Sequence, residues 1–276
     1  RMPLWMAFAK SLNTTAAELS FAVGREKVIE MTQRVGIRGI RRTCSMALGD
    51  YGITPLEHTG GVATYVNGGK RVRPYGVLEI SNSKGELLYS RERDEPEAPQ
   101  IVAPRVAHSM NQLMHRVITD GTGKSAALDF TNVVGKTGTS TGPRDVWFVG
   151  GTGKYVTSVW FGNDDNRPMA NGTTGGGVAA VVYKQMMTTG HGTALIPAIP
   201  GIPMHPVQAA ERAQLAAEPS RRDQTVSAAG APRRQQFQCH RPGAAPARGA
   251  HEDWAIVDDQ PAAQPNPPAR SSASVS

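Results

Sequence analysis

Apolar residues recur at helical spacing from the first turns of the chain. Leu4, Phe8, Leu12, Ala16, Leu19 and Val23 fall at three- and four-residue steps, which predicts one amphipathic helix across 4–23. Arg25 to Val35 reads as a second helix between Gly24 and Gly36, since Gly is a common helix stop. Thr54-Pro55 opens a third, because Pro fits the first helical position, and Asn67-Gly68-Gly69 ends it. A hairpin signal comes next. Val77–Ile80 and Glu86–Tyr89 flank Ser81-Asn82-Ser83-Lys84-Gly85, the pattern of a hairpin. Pro104 starts another helix, with Val106, Met110, Leu113, Met114 and Val117 as its expected buried stripe. Strands are expected at 132–139, 146–149 and 155–161, and Val178, Val181, Val182 and Met186 mark a last helix. Helices, a strand meander and a further helix predict an α+β fold with an antiparallel sheet.

Composition changes this picture near residue 193. Half of the 20 Pro lie beyond residue 200, and that stretch holds only Phe237 and Trp254 as aromatics. Such a segment buries too little apolar surface to offset its ordering entropy. The expected division is therefore a folded part, 1–192, and a Pro/Ala/Arg-rich, mostly disordered tail, 193–276. An Arg at position 1 implies a chain processed or cut from a longer one.

Charge and cysteine content mainly exclude. The net charge is +7, but the basic residues form no long run and are not interleaved with aromatics, so nucleic-acid binding is not expected. No run of about 18 apolar residues exists to form a membrane span. Two Cys, at 44 and 239, are too few for a disulfide scaffold or a Cys-built zinc site. No metal or cofactor is expected. Gly121-Thr122-Gly123-Lys124-Ser125 lacks the leading Gly of a phosphate loop, with Ile at 118. His108 and His115 share a helix face with no carboxylate partner pattern and read as surface residues.

Two short motifs carry candidate chemistry. Lys136-Thr137-Gly138-Thr139 lies on a predicted strand. Lys supplies charge, the Thr hydroxyls supply directional hydrogen bonds, and Gly lets a ligand approach the backbone, so together they can grip a carboxylate. Ser11-Leu12-Asn13 can turn a hydroxyl and an amide into one cleft, although the helical stripe runs straight through it.

The text around these motifs resembles the transpeptidase domain of class A penicillin-binding proteins. The resemblance runs in order over residues 4–190. It is carried by Ala9-Lys10-Ser11-Leu12-Asn13-Thr14-Thr15, Ile53-Thr54-Pro55-Leu56-Glu57 and Tyr65-Val66-Asn67-Gly68-Gly69. Asp120-Gly121-Thr122-Gly123-Lys124-Ser125, Lys136 to Ser140, Arg144 to Val149 and Trp160-Phe161-Gly162-Asn163-Asp164 continue it. The resemblance implies a partial serine β-lactamase/penicillin-binding fold. It also implies a D,D-transpeptidase that cross-links peptidoglycan stem peptides ending in D-Ala-D-Ala and binds β-lactams. Lys136, Thr137, Gly138 and Thr139 would hold the terminal carboxylate, and the Thr139 N–H would serve as an oxyanion donor. Ser11 would relay a proton, and Asn13 would bond the substrate amide and the catalytic lysine. The implied parent faces the periplasm, with an N-terminal membrane anchor and a glycosyltransferase domain.

One motif of that family is out of place. Its nucleophile motif, Ser-x-x-Lys, precedes Ser-x-Asn by tens of residues, and only ten residues precede Ser11 here. Ser81-Asn82-Ser83-Lys84 has the spacing but sits in the predicted hairpin turn, where its polar residues serve the turn. The chain therefore reads as the back half of a transpeptidase domain without its nucleophile. Two alternatives stay open: a non-catalytic wall-peptide-binding or truncated protein, and a D,D-carboxypeptidase or β-lactamase relative.

Overall fold

The computed structural model describes residues 2–217, so the part of the expected tail with Phe237, Cys239 and Trp254 lies outside the described residues. The chain opens with α1 (Leu4–Ala9), α2 (Asn13–Val23), α3 (Arg25–Arg34) and α4 (Pro55–Val66). A two-stranded hairpin follows, β1 (Glu79–Ser81) and β2 (Leu87–Ser90), then the short α5 (Arg91–Asp94) and the long α6 (Pro104–Thr119). The sheet that matters is an antiparallel meander in the order β3 (Val134–Thr139), β4 (Asp145–Gly151), β5 (Val156–Gly162). A π-type turn at Gly175–Ala179 leads into α7 (Ala180–His191), and α8 (Pro206–Ala217) comes last.

Strand alternation divides the sheet's two faces. Phe148 on β4 and Val159 on β5 point into an apolar cluster with Ala180, Tyr183 and Met187 of α7. The Phe148 and Tyr183 rings stand 4.6 Å apart. On the other face Val134 joins Val66 of α4 and Met114 of α6. The three strands are thus a middle layer between helices, and β3 lies at its edge.

Local chemistry explains where the helices start. Thr54 caps α4 with a complete capping box: its hydroxyl accepts from Glu57 N–H, and Glu57 reaches back to Thr54 N–H. Pro55 and Pro104 occupy first helical turns, where a missing N–H costs nothing.

Four expectations need correction. The single opening helix is two helices, broken at Ser11, and its expected stripe is largely exposed: Leu4 51%, Leu19 46% and Val23 48%. Small residues, Ala7 and Ala9, take the buried positions of α1 instead, because Ala9 must approach the loop after α6 closely: a Cβ at Gly121 would strike the Ala9 carbonyl. The last helix is rotated from its expected phase. Val178, Val181 and Met186 are exposed, while Ala180, Tyr183, Met187 and His191 are buried. With apolar residues on both sides, the face that fits around Phe148 wins.

The boundary at 193 also moves. Ile196, Ile199 and Ile202 are buried, the last two in the cluster with Val134 of β3 and Met114 of α6. Asn111, fully buried in the middle of α6, donates to Tyr65 O at 3.0 Å and to Pro200 O at 2.9 Å. Gln208 of α8 is buried and accepts from Ile196 N–H at 2.8 Å. Polar side chains thus satisfy the backbone of a Pro-rich segment that has no ladder of its own. His115, expected on the surface, is half-buried and holds Val133 O at 2.9 Å, just ahead of β3.

Candidate active site

The break after α1 is a helix cap with specific bonds. Ser11 N–H donates to Phe8 O and Leu12 N–H to Ala7 O, both at 3.0 Å. These are the paired bonds of a Schellman cap, whose turning residue has positive φ and is usually Gly. Here it is Ser11, at φ 57°. A side chain in that region costs about 1–2 kcal/mol, and such strain concentrates at functional sites. What the serine adds over Gly is its hydroxyl.

That hydroxyl meets Lys136. Lys136 Nζ on β3 donates to Ser11 Oγ at 2.7 Å across 125 residues of sequence. It also donates to Thr137 O at 3.0 Å and stands 5.9 Å from the centre of the Phe8 ring. Among the described residues no carboxylate pairs with it. Burial lowers its pKa to about 8, because leaving water disfavours the charged form. At neutral pH it remains mostly a cation, and the cap of α1 and the edge of β3 hold it without a counter-charge.

The edge of β3 continues the site. Ser140 N–H donates to Asp145 O at 2.9 Å. Bonded and non-bonded pairs alternate along an antiparallel ladder, so Thr139, paired with Val146, turns its N–H and C=O to the open side of β3. Thr137 does the same, and its carbonyl on that side receives the Lys136 ammonium. Thr139 Oγ1 accepts from Gly175 N–H at 3.0 Å. Thr137 Oγ1 lies 2.6 Å from Thr122 Oγ1. A Cβ at Gly175 would run into the carbonyls of Trp147 and Gly138, so only Gly lets this turn reach the strand. Gly138 lies against Trp147, with an added Cβ 3.3 Å from the Trp147 Cβ.

The structure therefore brings together Ser11, Lys136, Thr137, Gly138 and Thr139. Asn13 is the exposed first residue of α2, two residues past the cap, and its amide makes no side-chain hydrogen bond among the described residues. Ser81 and Lys84 lie elsewhere, in the β1–β2 hairpin. There Asn82 Oδ1 accepts from Lys84 N–H at 2.9 Å and Glu86 N–H at 3.0 Å, the work of a turn. Phe8, Thr122 and the Gly175 turn were not singled out as functional from sequence. The Gly121-Thr122-Gly123 and Thr174-Gly175-Gly176-Gly177 runs were the available signals, since closely spaced Gly marks close backbone approach.

The family model described as penicillin binding protein transpeptidase domain matches residues 2–188. Penicillin-binding protein 1A of Aquifex aeolicus is 32% identical over 181 residues, covering 66% of this chain and 24% of that protein. Penicillin-binding protein 1B of Vibrio cholerae is 32% identical over 190 residues, covering 67% and 24%. The chain thus spans about a quarter of the length of these relatives. Penicillin-binding protein 1A from Haemophilus influenzae shares the fold at a TM-score of 0.66 and 22% identity, over 72% of this chain and 36% of that one. Penicillin-binding protein A from M. tuberculosis, solved as an imipenem acyl-enzyme complex, matches at a TM-score of 0.58 and 22% identity, over 67% and 47%.

Proposed function

This chain belongs to the penicillin-binding protein transpeptidase domain family, and from that premise we propose that it supplies the substrate-carboxylate half of a D,D-transpeptidase site. The substrate is a peptidoglycan stem peptide ending in D-Ala-D-Ala, and β-lactams compete for the same place. The work is done in the bacterial cell envelope, on the periplasmic side of the inner membrane. The observation that carries this reading is the Ser11–Lys136 contact, 2.7 Å between residues 125 apart, beside the two β3 threonines.

The chemistry follows from the atoms present. An extended peptide lies along the open edge of β3, where Thr139 offers both backbone groups. Its terminal carboxylate faces Lys136 and the Thr137 and Thr139 hydroxyls, a charge-assisted contact of the strong kind. The Thr139 N–H also faces the place where negative charge develops on the attacked carbonyl. Because Ser11 Oγ accepts from Lys136, its own O–H proton is free for the departing amine, and the ammonium can replace that proton. Asn13, at the start of α2, bonds the substrate amide.

Covalent transfer needs a nucleophile with an adjacent base. Ser81 and Lys84, exposed in a hairpin of their own, do not serve. We assign the nucleophile to a segment outside these 276 residues. The same observation favours a second reading, in which these residues bind wall peptides without turnover.

A fluorescent penicillin separates the two readings. The 276-residue chain should not be labelled, and the chain joined to a Ser-x-x-Lys helix of a relative should be. Labelling of the 276 residues on Ser81 or Ser11 would overturn the assignment of the nucleophile. N-acetyl-D-Ala-D-Ala should bind the 276-residue chain in preference to its C-terminal amide, and equal binding would overturn the carboxylate reading.

A further inference from the structure

A hydroxyl has one proton and two lone pairs, so what sits behind it decides whether its proton is free for a ligand. The two β3 threonines differ in this respect. Behind Thr139 Oγ1 stands the Gly175 N–H, at 3.0 Å, a donor that can never reverse. Thr139 can only accept there, and its proton is free. Behind Thr137 Oγ1 stands the Thr122 hydroxyl, at 2.6 Å, and either oxygen can be the donor. Only one direction leaves Thr137 a proton to give to an anion.

Thr122 is built into this place. Its N–H donates to Ala9 O at 3.2 Å, two residues before Ser11. Gly121 lies against the Ala9 carbonyl and Gly176 against the Thr122 carbonyl, each so closely that a Cβ would strike the oxygen. The backbone of Thr122 is thus held between the α1 cap and the glycine turn. Its side chain is exposed. No role in the carboxylate clamp read from the sequence uses it.

We propose that Thr122 is a positioning residue of the carboxylate site: its hydroxyl donates to Thr137 Oγ1 and so reserves the Thr137 proton for the ligand's carboxylate. The proposal rests on the carboxylate reading above. An arriving anion makes a proton on Thr137 worth more, because charge-assisted bonds are stronger than neutral ones, and so selects this direction. A neutral carboxamide offers its own N–H donors and imposes no such selection. The arrangement therefore contributes to discrimination between acid and amide more than to binding in general.

The test is a ratio of affinities on the full 276-residue chain. N-acetyl-D-Ala-D-Ala and its C-terminal amide are titrated separately and followed by amide NMR shifts. Circular dichroism at the same temperature confirms that each variant is folded. Thr122→Val and Thr122→Ala remove the donor that orients and polarises the Thr137 hydroxyl, and should each lower the acid-over-amide preference by about threefold. Thr122→Ser should keep the preference to within about twofold. The Ala variant carries the test if the Val side chain does not fit. An unchanged preference in both variants, with the parent chain still preferring the acid, overturns the role of Thr122 alone. Loss of the preference in Thr122→Ser would assign the effect to the methyl group and overturn it too. A parent chain with no preference overturns the carboxylate reading, and this proposal with it.

Discussion

Ser81 and Lys84 stand three residues apart, and among the described residues no hydrogen bond joins them. Ser11 and Lys136 stand 125 residues apart and share one at 2.7 Å. The hairpin pair satisfies a motif's spacing on an exposed turn, where Asn82 and the backbone take up the polar work. The distant pair has no spacing to recommend it, yet both residues are fixed from several sides: Ser11 by two cap bonds, Lys136 by the sheet, Phe8 and the Thr137 carbonyl. Spacing predicts chemistry only when the backbone between the residues is of the right kind. A Ser-x-x-Lys needs a helix to stack its ends, and a turn separates them.

Substitutions in the two regions should diverge most at the glycines. Gly175→Ala forces a Cβ into the carbonyls of Trp147 and Gly138, and overpacking of this kind costs about 3 kcal/mol. Gly85→Ala in the hairpin meets nothing within 4 Å and suffers only from its φ of 81°, a cost of about 1 kcal/mol. Denaturant melts of both variants measure the difference. Equal losses would mean that the turn behind Thr139 is no tighter than the hairpin.

The lysines come next. Lys136→Met should weaken binding of N-acetyl-D-Ala-D-Ala by about tenfold to a hundredfold, the worth of a hydrogen bond to a charged group. Lys84→Met should leave that binding unchanged. In the parent chain the same affinity should fall as pH rises through about 8, where Lys136 loses its proton. A flat profile from pH 7 to 9.5 would remove the ammonium from the contact.

The serines should differ in sign. Ser11→Gly places the residue that the αL cap favours, so folding should gain up to about 1 kcal/mol while affinity for the peptide acid drops. Ser81→Gly, in a strand, should lose about 0.5–1 kcal/mol of stability with no change in binding. A loss of stability in Ser11→Gly would show that the hydroxyl bond outweighs the strain.

The last comparison concerns stability against pH. The folded pKa of Lys136 is lowered to about 8 from 10.5. Between those values the unfolded chain binds the proton and the folded chain does not, so stability should rise with pH across that window. Below pH 8 the buried charge is carried in full and the gain is absent. Lys136→Met should flatten this part of the profile, and Lys84→Met should leave it as it was.

The order and type of most elements were legible in the amino-acid sequence. Thr54-Pro55 announced α4, Asn82 and Gly85 announced the hairpin, and short apolar runs bounded by Gly announced β3, β4 and β5, because these signals act within a few residues. The sequence also singled out Ser11, Asn13, Lys136, Thr137, Gly138 and Thr139 through a run of motifs in a known order, and the fold brings all of them but Asn13 together. The sequence did not show which faces are buried: α1 and α7 carry apolar residues on more than one side, and only packing against Gly121 and Phe148 chooses among them. Nor did it show that Ile196, Ile199 and Ile202 belong to the core. Pro197, Pro200 and Pro203 directly follow the three isoleucines and bar a regular helix or ladder, and what holds the segment is distant: Asn111 on Pro200 O, Gln208 on Ile196 N–H, and the cluster around Val134. The break at Ser11 was hidden for the same reason. A cap built on a non-Gly residue looks like helix in one dimension, and only the contact with Lys136, made by the fold across 125 residues, gives that strained turn a use.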